Sequence, residues 1–179
     1  MRYLFATLLL ITNLSLVAQA PLSREYELKA VFLYNFAQFV EWPPAAFSNS
    51  EAPLVIGILG KNPFGARLKD IVSGEKVNGR EVTIQYYDNA QDIGACHILF
   101  INLPESNKRA QVLELLKGRN VLTVSDISGF SGEGGMIRLF TRDNKIRFEV
   151  NLDASKEAGL TISSKLLRLA EIFTPSKNS

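Results

Sequence analysis

Three nearly continuous apolar runs, residues 54–59, 97–101 and 121–125, predict buried strands, and Gly60 ends the first of them. Runs of this length without polar alternation are typical of strands that are covered on both faces, as in a parallel sheet. Residues 82–87 instead alternate between polar and apolar side chains. This alternation predicts a strand with one exposed face.

Apolar residues at helical spacing predict helices between these strands. The first helix is predicted from Ser23 to about Glu41 and stops before Pro43, because proline cannot continue a helix. Shorter helices are predicted over residues 64–72 and 104–117. The predicted apolar face of the first helix consists of Leu28, Val31, Phe32, Asn35, Phe36 and Phe39.

The C-terminal third of the chain has a different pattern. Residues 136–140 and 146–150 flank a polar turn and predict a hairpin. Asn151 is expected to begin a short helix that ends before Gly159, a residue favoured at helix C-termini. This third of the chain therefore leaves the strand–helix alternation of the segments before it.

A last helix is predicted to begin at Ser163 or Ser164 and to end at Phe173. Its expected apolar side consists of Leu166, Leu167, Ala170 and Phe173. Together the elements predict an α/β fold with a mainly parallel central sheet, helices on both faces, and a C-terminal hairpin plus helices. We expect one domain over residues 21–174 and a polar tail over residues 175–179.

Residues 1–20 predict a signal peptide. Arg2 provides a positive start, residues 4–17 are mostly apolar, and residues 18–20 have the small–x–small sequence Ala-Gln-Ala. Pro21 would directly follow the cut, which disfavours cleavage there, so cleavage a residue or two away stays open. A retained membrane anchor is the alternative, although the run is short for a span. The prediction is a protein that is exported from the bacterial cytoplasm.

The charge of the chain excludes some classes of partner. Its net charge is +2, from 20 Lys and Arg against 18 Asp and Glu. Without Arg2 the balance is 19 against 18, or +1. No cluster of like charges stands out, whereas nucleic-acid binders and proteins held on anionic membranes by charge carry basic clusters.

The sequence offers little for catalysis. His97 is the only histidine, and Cys96 beside it is the only cysteine. Neighbouring residues of a strand point to opposite faces, so these two are poorly placed as a nucleophile and its base. No cluster of residues suits a metal ion. We therefore expect no catalytic residue, no metal and no cofactor, and a protein that is not an enzyme.

The same two residues have simpler structural interpretations. His97 is expected to be a strand-end residue with a backbone partner. Cys96 cannot form an internal disulfide, because the chain has no second cysteine. It is expected to be a small buried hydrophobe, while intermolecular pairing or thiol sensing stays open.

Two local features are candidates for binding. The loop from Gly60 to Gly65 follows a strand and precedes a helix, which is either turn chemistry or a site for an anion or small ligand. Its spacing matches no phosphate-loop motif. Trp42, with Phe39 nearby, is either an aromatic lid on the core or an apolar anchor for a partner or ligand.

Charged residues near the C-terminus form a second candidate surface. Arg147 and Glu149 share one face of a predicted strand, together with Asn151. Lys165 and Arg168 lie on the predicted last helix, away from its apolar side. They form either a polar recognition patch or a solvated face with a weak ion pair.

Eight segments occur in an order that resembles the YfiR family of periplasmic proteins. Single motifs among them are weak, but the ordered set is specific and spans nearly the whole chain after the signal peptide. The segments are residues 29–43, 62–65, 77–80, 96–101, 121–126, 134–137, 147–152 and 162–170.

The resemblance implies a regulator. Such proteins bind the periplasmic sensor part of an inner-membrane diguanylate cyclase and hold the cyclase inactive, which lowers cyclic di-GMP signalling and disfavours biofilm formation. It also implies a homodimer and, in some systems, an outer-membrane lipoprotein that sequesters the inhibitor. The best-known relatives carry disulfides linked to redox control, whereas Cys96 alone cannot form an internal one. A periplasmic small-molecule sensor, with its ligand at residues 60–65, is the alternative function.

Overall fold

A computed structural model of the protein describes residues 21–175, with side chains from residue 24 onward. The predicted signal peptide and residues 176–179 lie outside the described residues. The helices are α1 (Pro21–Phe39), α2 (Arg67–Val72), α3 (Ser106–Leu115), α4 (Leu152–Glu157) and α5 (Ser164–Leu167). The strands are β1 (Val40–Glu41), β2 (Leu54–Gly60), β3 (Lys76–Val77), β4 (Arg80–Tyr87), β5 (Ile98–Asn102), β6 (Leu122–Ser125), β7 (Ile137–Arg142), β8 (Lys145–Val150), β9 (Thr161–Ile162) and β10 (Glu171–Ile172).

The main sheet has the strand order β10-β8-β7-β6-β5-β2-β4-β3. Strands β4, β2, β5, β6 and β7 run parallel, and β10 is parallel to β8. The β7–β8 hairpin and the short β3–β4 pair are antiparallel. Strands β1 and β9 form a separate antiparallel pair. The predicted α/β fold with a mainly parallel central sheet and a C-terminal hairpin is confirmed.

Helices cover both faces of the central strands. One face packs against α1 and α2 in a core that contains Phe36, Leu68, Ile58 and Phe100. The other face packs against α3 in a second core, where Leu99 contributes from the sheet. Burial on both faces explains why β2 and β5 are apolar at nearly every position.

The buried face of α1 differs from the predicted one. Leu28 and Val31 are 47% and 40% exposed, whereas Ala30, Leu33 and Phe36 have no exposed surface. The helix is apolar around most of its circumference, so its spacing did not define which side faces the sheet. The tertiary structure therefore leaves part of the predicted apolar face in solvent.

The predicted last helix is also too long. Helix α5 ends at Leu167, and Glu171–Ile172 form strand β10 beside β8 instead. The backbone N–H of Phe173 donates to the carbonyl of Val150 at 2.9 Å. The open edge of β8 offers ladder hydrogen bonds to this segment, and these replace the helical turn expected from local spacing.

Candidate functional site

An aromatic cluster surrounds Trp42, just after β1. The Trp42 side chain is half-buried, and its Nε1 donates to the carbonyl of His97 at 3.2 Å. Phe47 stacks on the imidazole of His97 with ring centroids 4.3 Å apart. The guanidinium of Arg80 lies 3.8 Å from the centroid of the Phe47 ring. Trp42 thus closes one end of the core, as the lid interpretation expects.

The same cluster borders a cavity of about 240 Å³, lined by Glu41, Trp42, Phe47, Leu54, Val77, Asn78 and Arg80. Phe39, the last residue of α1, is half-buried directly before β1, and its carbonyl accepts from the N–H of Ser163 at 2.9 Å. Trp42 therefore lines this cavity and also packs against the core. Binding of a partner by Phe39 and Trp42 stays a prediction.

His97 is held by backbone groups on both sides of its ring. Its Nδ1 accepts from the N–H of Val55 at 3.0 Å, and its Nε2 lies 3.2 Å from the carbonyl of Ala46. This pairing requires the neutral ring with its proton on Nε2. Burial lowers the pKa of His97 below its usual value. The interpretation of His97 as a strand-end residue with backbone partners is confirmed.

The outer face of the β7–β8 hairpin carries charged side chains around one aromatic ring. Cross-strand pairing sets Arg138 opposite Glu149 and Phe140 opposite Arg147. The Nε of Arg138 lies 2.6 Å from Oε1 of Glu149, and this hydrogen bond lowers the pKa of Glu149. The guanidinium groups of Arg138 and Arg142 lie 4.5 Å and 5.0 Å from the centroid of Phe140.

This outer hairpin face has a basic surplus and is open to solvent toward the turn, whereas the side chains of Arg138 and Glu149 at its other end are only 20% and 17% exposed. This face carries four basic residues of the hairpin and two acidic residues, which are Glu149 on β8 and Glu171 on β10. Arg142 pairs with Glu171 at 2.7 Å, and both side chains are about half exposed, at 56% and 46%. The basic residues are Arg138, Arg142, Lys145 and Arg147.

Lys165 and Arg168 lie on the other side of the sheet. Lys165 is exposed on α5 and Arg168 is exposed directly after it, and Leu166 of α5 belongs to the same core as Phe36 and Phe148. Glu149 lies next to Phe148 in β8 and therefore faces the opposite way. The structure thus brings Arg147 together with Glu149 but separates this pair from Lys165 and Arg168. The sequence placed all four in one patch because strand and helix faces cannot be oriented against each other without the fold.

The Gly60–Gly65 loop is held in shape by the hydrogen bonds of Asn62 and by the buried ring of Phe64. Asn62 closes it with two hydrogen bonds, accepting from Phe64 N–H at 2.9 Å and donating to Gly65 O at 3.1 Å. Phe64 is buried between the rings of Tyr26 and Phe100. These contacts are those of a structural turn, and ligand binding at this loop stays a prediction.

A buried ionic cluster near the start of α1 was not predicted. Lys29 Nζ lies 2.6 Å from Asp126 Oδ2 and 2.7 Å from Glu25 Oε1, and its side chain is 5% exposed. Tyr26 donates its hydroxyl to the same oxygen of Asp126 at 2.9 Å. Burial and this hydrogen bond raise the pKa of Tyr26. The Glu25–Lys29 spacing is visible in the sequence, but the contact with Asp126 depends on the fold.

Cys96 is buried in the second core, and its thiol donates to the carbonyl of Ile98 at 3.1 Å. Burial raises the pKa of Cys96 to about 12, so the thiolate is strongly disfavoured. Across residues 21–175, no group of His, Cys, Asp and Glu side chains is arranged to hold a metal ion. In the same part of the chain, no helix combines the length and apolarity that a membrane span requires.

A sequence comparison identifies the family. The model of the YfiR/HmsC-like family matches residues 26–171, which is most of the 179-residue chain and nearly all of the described fold. Proteins of this family are generally periplasmic regulators of cyclic di-GMP signalling and not enzymes. The match covers the central sheet, both helical layers and the hairpin. The chain belongs to the YfiR/HmsC-like family.

Proposed function

We propose that this protein represses a membrane-bound diguanylate cyclase by binding the periplasmic sensor region of that cyclase. Residues 1–20 direct export, and the folded domain then acts in the periplasm. Cyclic di-GMP falls when the protein is bound, and biofilm formation falls with it. Family membership supports this role, because the family regulates cyclic di-GMP signalling.

The observation that carries the proposal is the open outer hairpin face. It presents Arg147 and Arg142 to solvent around the half-buried Phe140, on a sheet whose central strands are covered on both sides. The backbone of such a strand pair is already ordered by its ladder hydrogen bonds, so docking on this face orders side chains but no backbone. Its basic surplus favours an acidic surface on the sensor region and sets the register of docking.

Repression needs no chemistry in this mechanism. The cyclase exists in active and inactive conformations, and a protein that binds the inactive one more tightly shifts the population toward it. The size of the shift is limited by the difference between the two affinities. Trp42 and Phe39 are the proposed apolar contacts, and Lys165 with Arg168 are proposed as a second charged contact on the opposite side of the sheet.

We further propose that the protein acts as a homodimer, and that an outer-membrane lipoprotein relieves repression by sequestering it. The outer side of α1 supports the dimer. Leu28 and Val31 are 47% and 40% exposed there, and the ring of Phe32 is half-buried beside them. Exposed apolar side chains on one helix face favour association with a second surface.

The first test is capture of the partner from detergent-solubilised inner membranes with the tagged protein, followed by mass spectrometry. We expect a diguanylate cyclase with a periplasmic sensor region, and an assay of that cyclase with the protein added should show lower activity. Capture of no such cyclase, at a sensitivity that detects a control complex, contradicts the proposal.

Charge reversals then locate the contact. Arg147→Glu is expected to weaken capture and repression strongly, and Lys165→Glu tests the other side of the sheet separately. Lys76→Glu, at the far edge of the sheet on β3, is the matched control and should behave as the unmodified protein. If all three variants repress equally, neither charged surface contacts the cyclase.

A further inference from the structure

A cavity of about 570 Å³ lies between α3, α4 and the loop that precedes β7. Its volume falls within the range of about 300–1,000 Å³ that is typical of small-molecule sites. It is separate from the Trp42 cluster and from the Gly60–Gly65 loop, because its lining shares no residue with either. Segments that are distant in sequence build it, and Thr123 of β6 and Pro175 also line it, so the fold and not one loop defines its shape.

The interior of this cavity is largely apolar. Leu113 and Leu116 line it from α3, Ala154 and Ala158 from α4, and Met136 from the start of β7. Apolar walls of this kind bind the hydrocarbon body of a ligand through the hydrophobic effect.

One buried hydroxyl also reaches the cavity wall. Thr123 is 1% exposed, and its Oγ1 accepts from the N–H of Met136 at 3.1 Å. Among the described residues this hydroxyl makes no other hydrogen bond.

The rim of the cavity is acidic. Among the described lining residues, Glu114, Glu133, Asp153 and Glu157 are acidic and Lys117 is the one basic residue. Lys117 pairs with Glu114, and the buried Arg109 pairs with Glu133 from outside the cavity. Within residues 24–175, Asp153 and Glu157 form no ion pair, and they lie four positions apart on α4, so both carboxylates line the same part of the cavity.

We propose that this cavity binds a small organic cation, namely an ammonium group on an apolar body. The apolar walls contact the hydrocarbon body of the ligand, and the carboxylates of Asp153 and Glu157 bind its ammonium group at the rim. An anion of the same shape is repelled by these carboxylates, and a neutral ligand gains only the apolar contact. This binding goes beyond repression of the cyclase and does not depend on it.

The test measures binding of three probes to the purified protein by isothermal titration calorimetry. The probes are octylamine, octanol and octanoate, which share one hydrocarbon chain and differ in the charge of the head group. We expect octylamine to bind about three- to tenfold more tightly than octanol, and octanoate to bind most weakly. Raising the salt concentration should reduce the preference for the amine, because both carboxylates are exposed.

Two variants assign the binding to this cavity. The double variant Asp153→Asn and Glu157→Gln should lower the affinity for octylamine to that for octanol. The control is the double variant Glu51→Gln and Glu81→Gln at two exposed positions outside the cavity, which should leave the affinities for both probes unchanged. Ala110→Trp, on the exposed side of α3 at the cavity wall, should abolish binding of both probes.

Equal affinity for octylamine and octanol would overturn the proposal, as would a double variant that binds octylamine like the unmodified protein. Binding of a lysine-rich peptide in place of octylamine would assign the acidic rim to a protein partner instead. The measurement contains no cyclase, so its outcome is independent of whether repression is observed.

Discussion

Strand β5 and the β7–β8 hairpin belong to the same sheet but bury their side chains differently. In β5 four successive residues, Ile98, Leu99, Phe100 and Ile101, have no exposed surface. In the hairpin Phe148 is buried, whereas Arg147 beside it is exposed. Helices lie on both faces of β5, while α1 covers only one face of the hairpin. The central strands are thus covered on both faces, and the hairpin leaves one face uncovered, which is the face proposed to contact a partner.

The largest expected effect comes from Phe148→Ala. The ring of Phe148 lies 5.3 Å from that of Phe36 and 5.7 Å from that of Phe32, centroid to centroid. Its removal leaves a cavity under α1 and should lower the free energy of unfolding by about 3–5 kcal/mol, measured by urea denaturation. Phe140→Ala, on the outer hairpin face, should cost only about 1 kcal/mol. Equal costs would mean that both faces are buried in solution.

The next largest effect is expected for Lys29→Met, in the buried ionic cluster. This change leaves the carboxylate of Asp126, whose side chain is 11% exposed, without its ammonium partner. We expect a loss of about 3 kcal/mol in the free energy of unfolding, measured by thermal and urea denaturation. Lys108→Met breaks an exposed pair with Glu105 and should cost less than about 0.5 kcal/mol. A similar small cost at Lys29 would contradict the burial of this cluster.

Acidification should weaken the fold through His97, at the covered end of the central strands. Its folded-state pKa lies below the ordinary value of 6.5, so the unfolded chain binds a proton more readily. The contribution of neutral His97 to the free energy of unfolding should therefore be complete above pH 6.5. It should decrease as the pH drops toward the folded-state pKa. Carboxylates such as Glu25 and Glu149, whose pKa values are lowered from 4.5, lose their contribution only at more acidic pH.

The measurement is urea denaturation at a series of pH values, with His97→Gln as the comparison. Since His97 is the only histidine, the variant should be less stable at neutral pH but should lack the decline that begins near pH 6.5. A decline that persists in the variant would assign it to another group.

The smallest effect on stability is expected for Arg147→Glu. Arg147 is exposed on the open face, so its reversal should change the free energy of unfolding by less than about 0.5 kcal/mol. The same urea measurement serves here, with the cyclase assay alongside it. A loss of repression without a loss of stability would mean that the open hairpin face serves binding while the covered strands serve stability.

The sequence determined the α/β fold class and its main elements. Continuous apolar runs identified β2, β5 and β6 because both faces of these strands are covered, so apolar side chains occupy consecutive positions. Polar alternation and a turn identified the hairpin. An ordered set of short motifs identified the family, which the comparison over residues 26–171 confirmed.

Only the tertiary structure decided how these elements face one another. It turned Leu28 and Val31 outward, ended α5 at Leu167, and placed Arg147 and Lys165 on opposite sides of the sheet. Local spacing cannot specify these outcomes, since they depend on which neighbour covers a helix face and which strand edge remains open. The 570 Å³ cavity is a further case, because segments far apart in the chain form its walls.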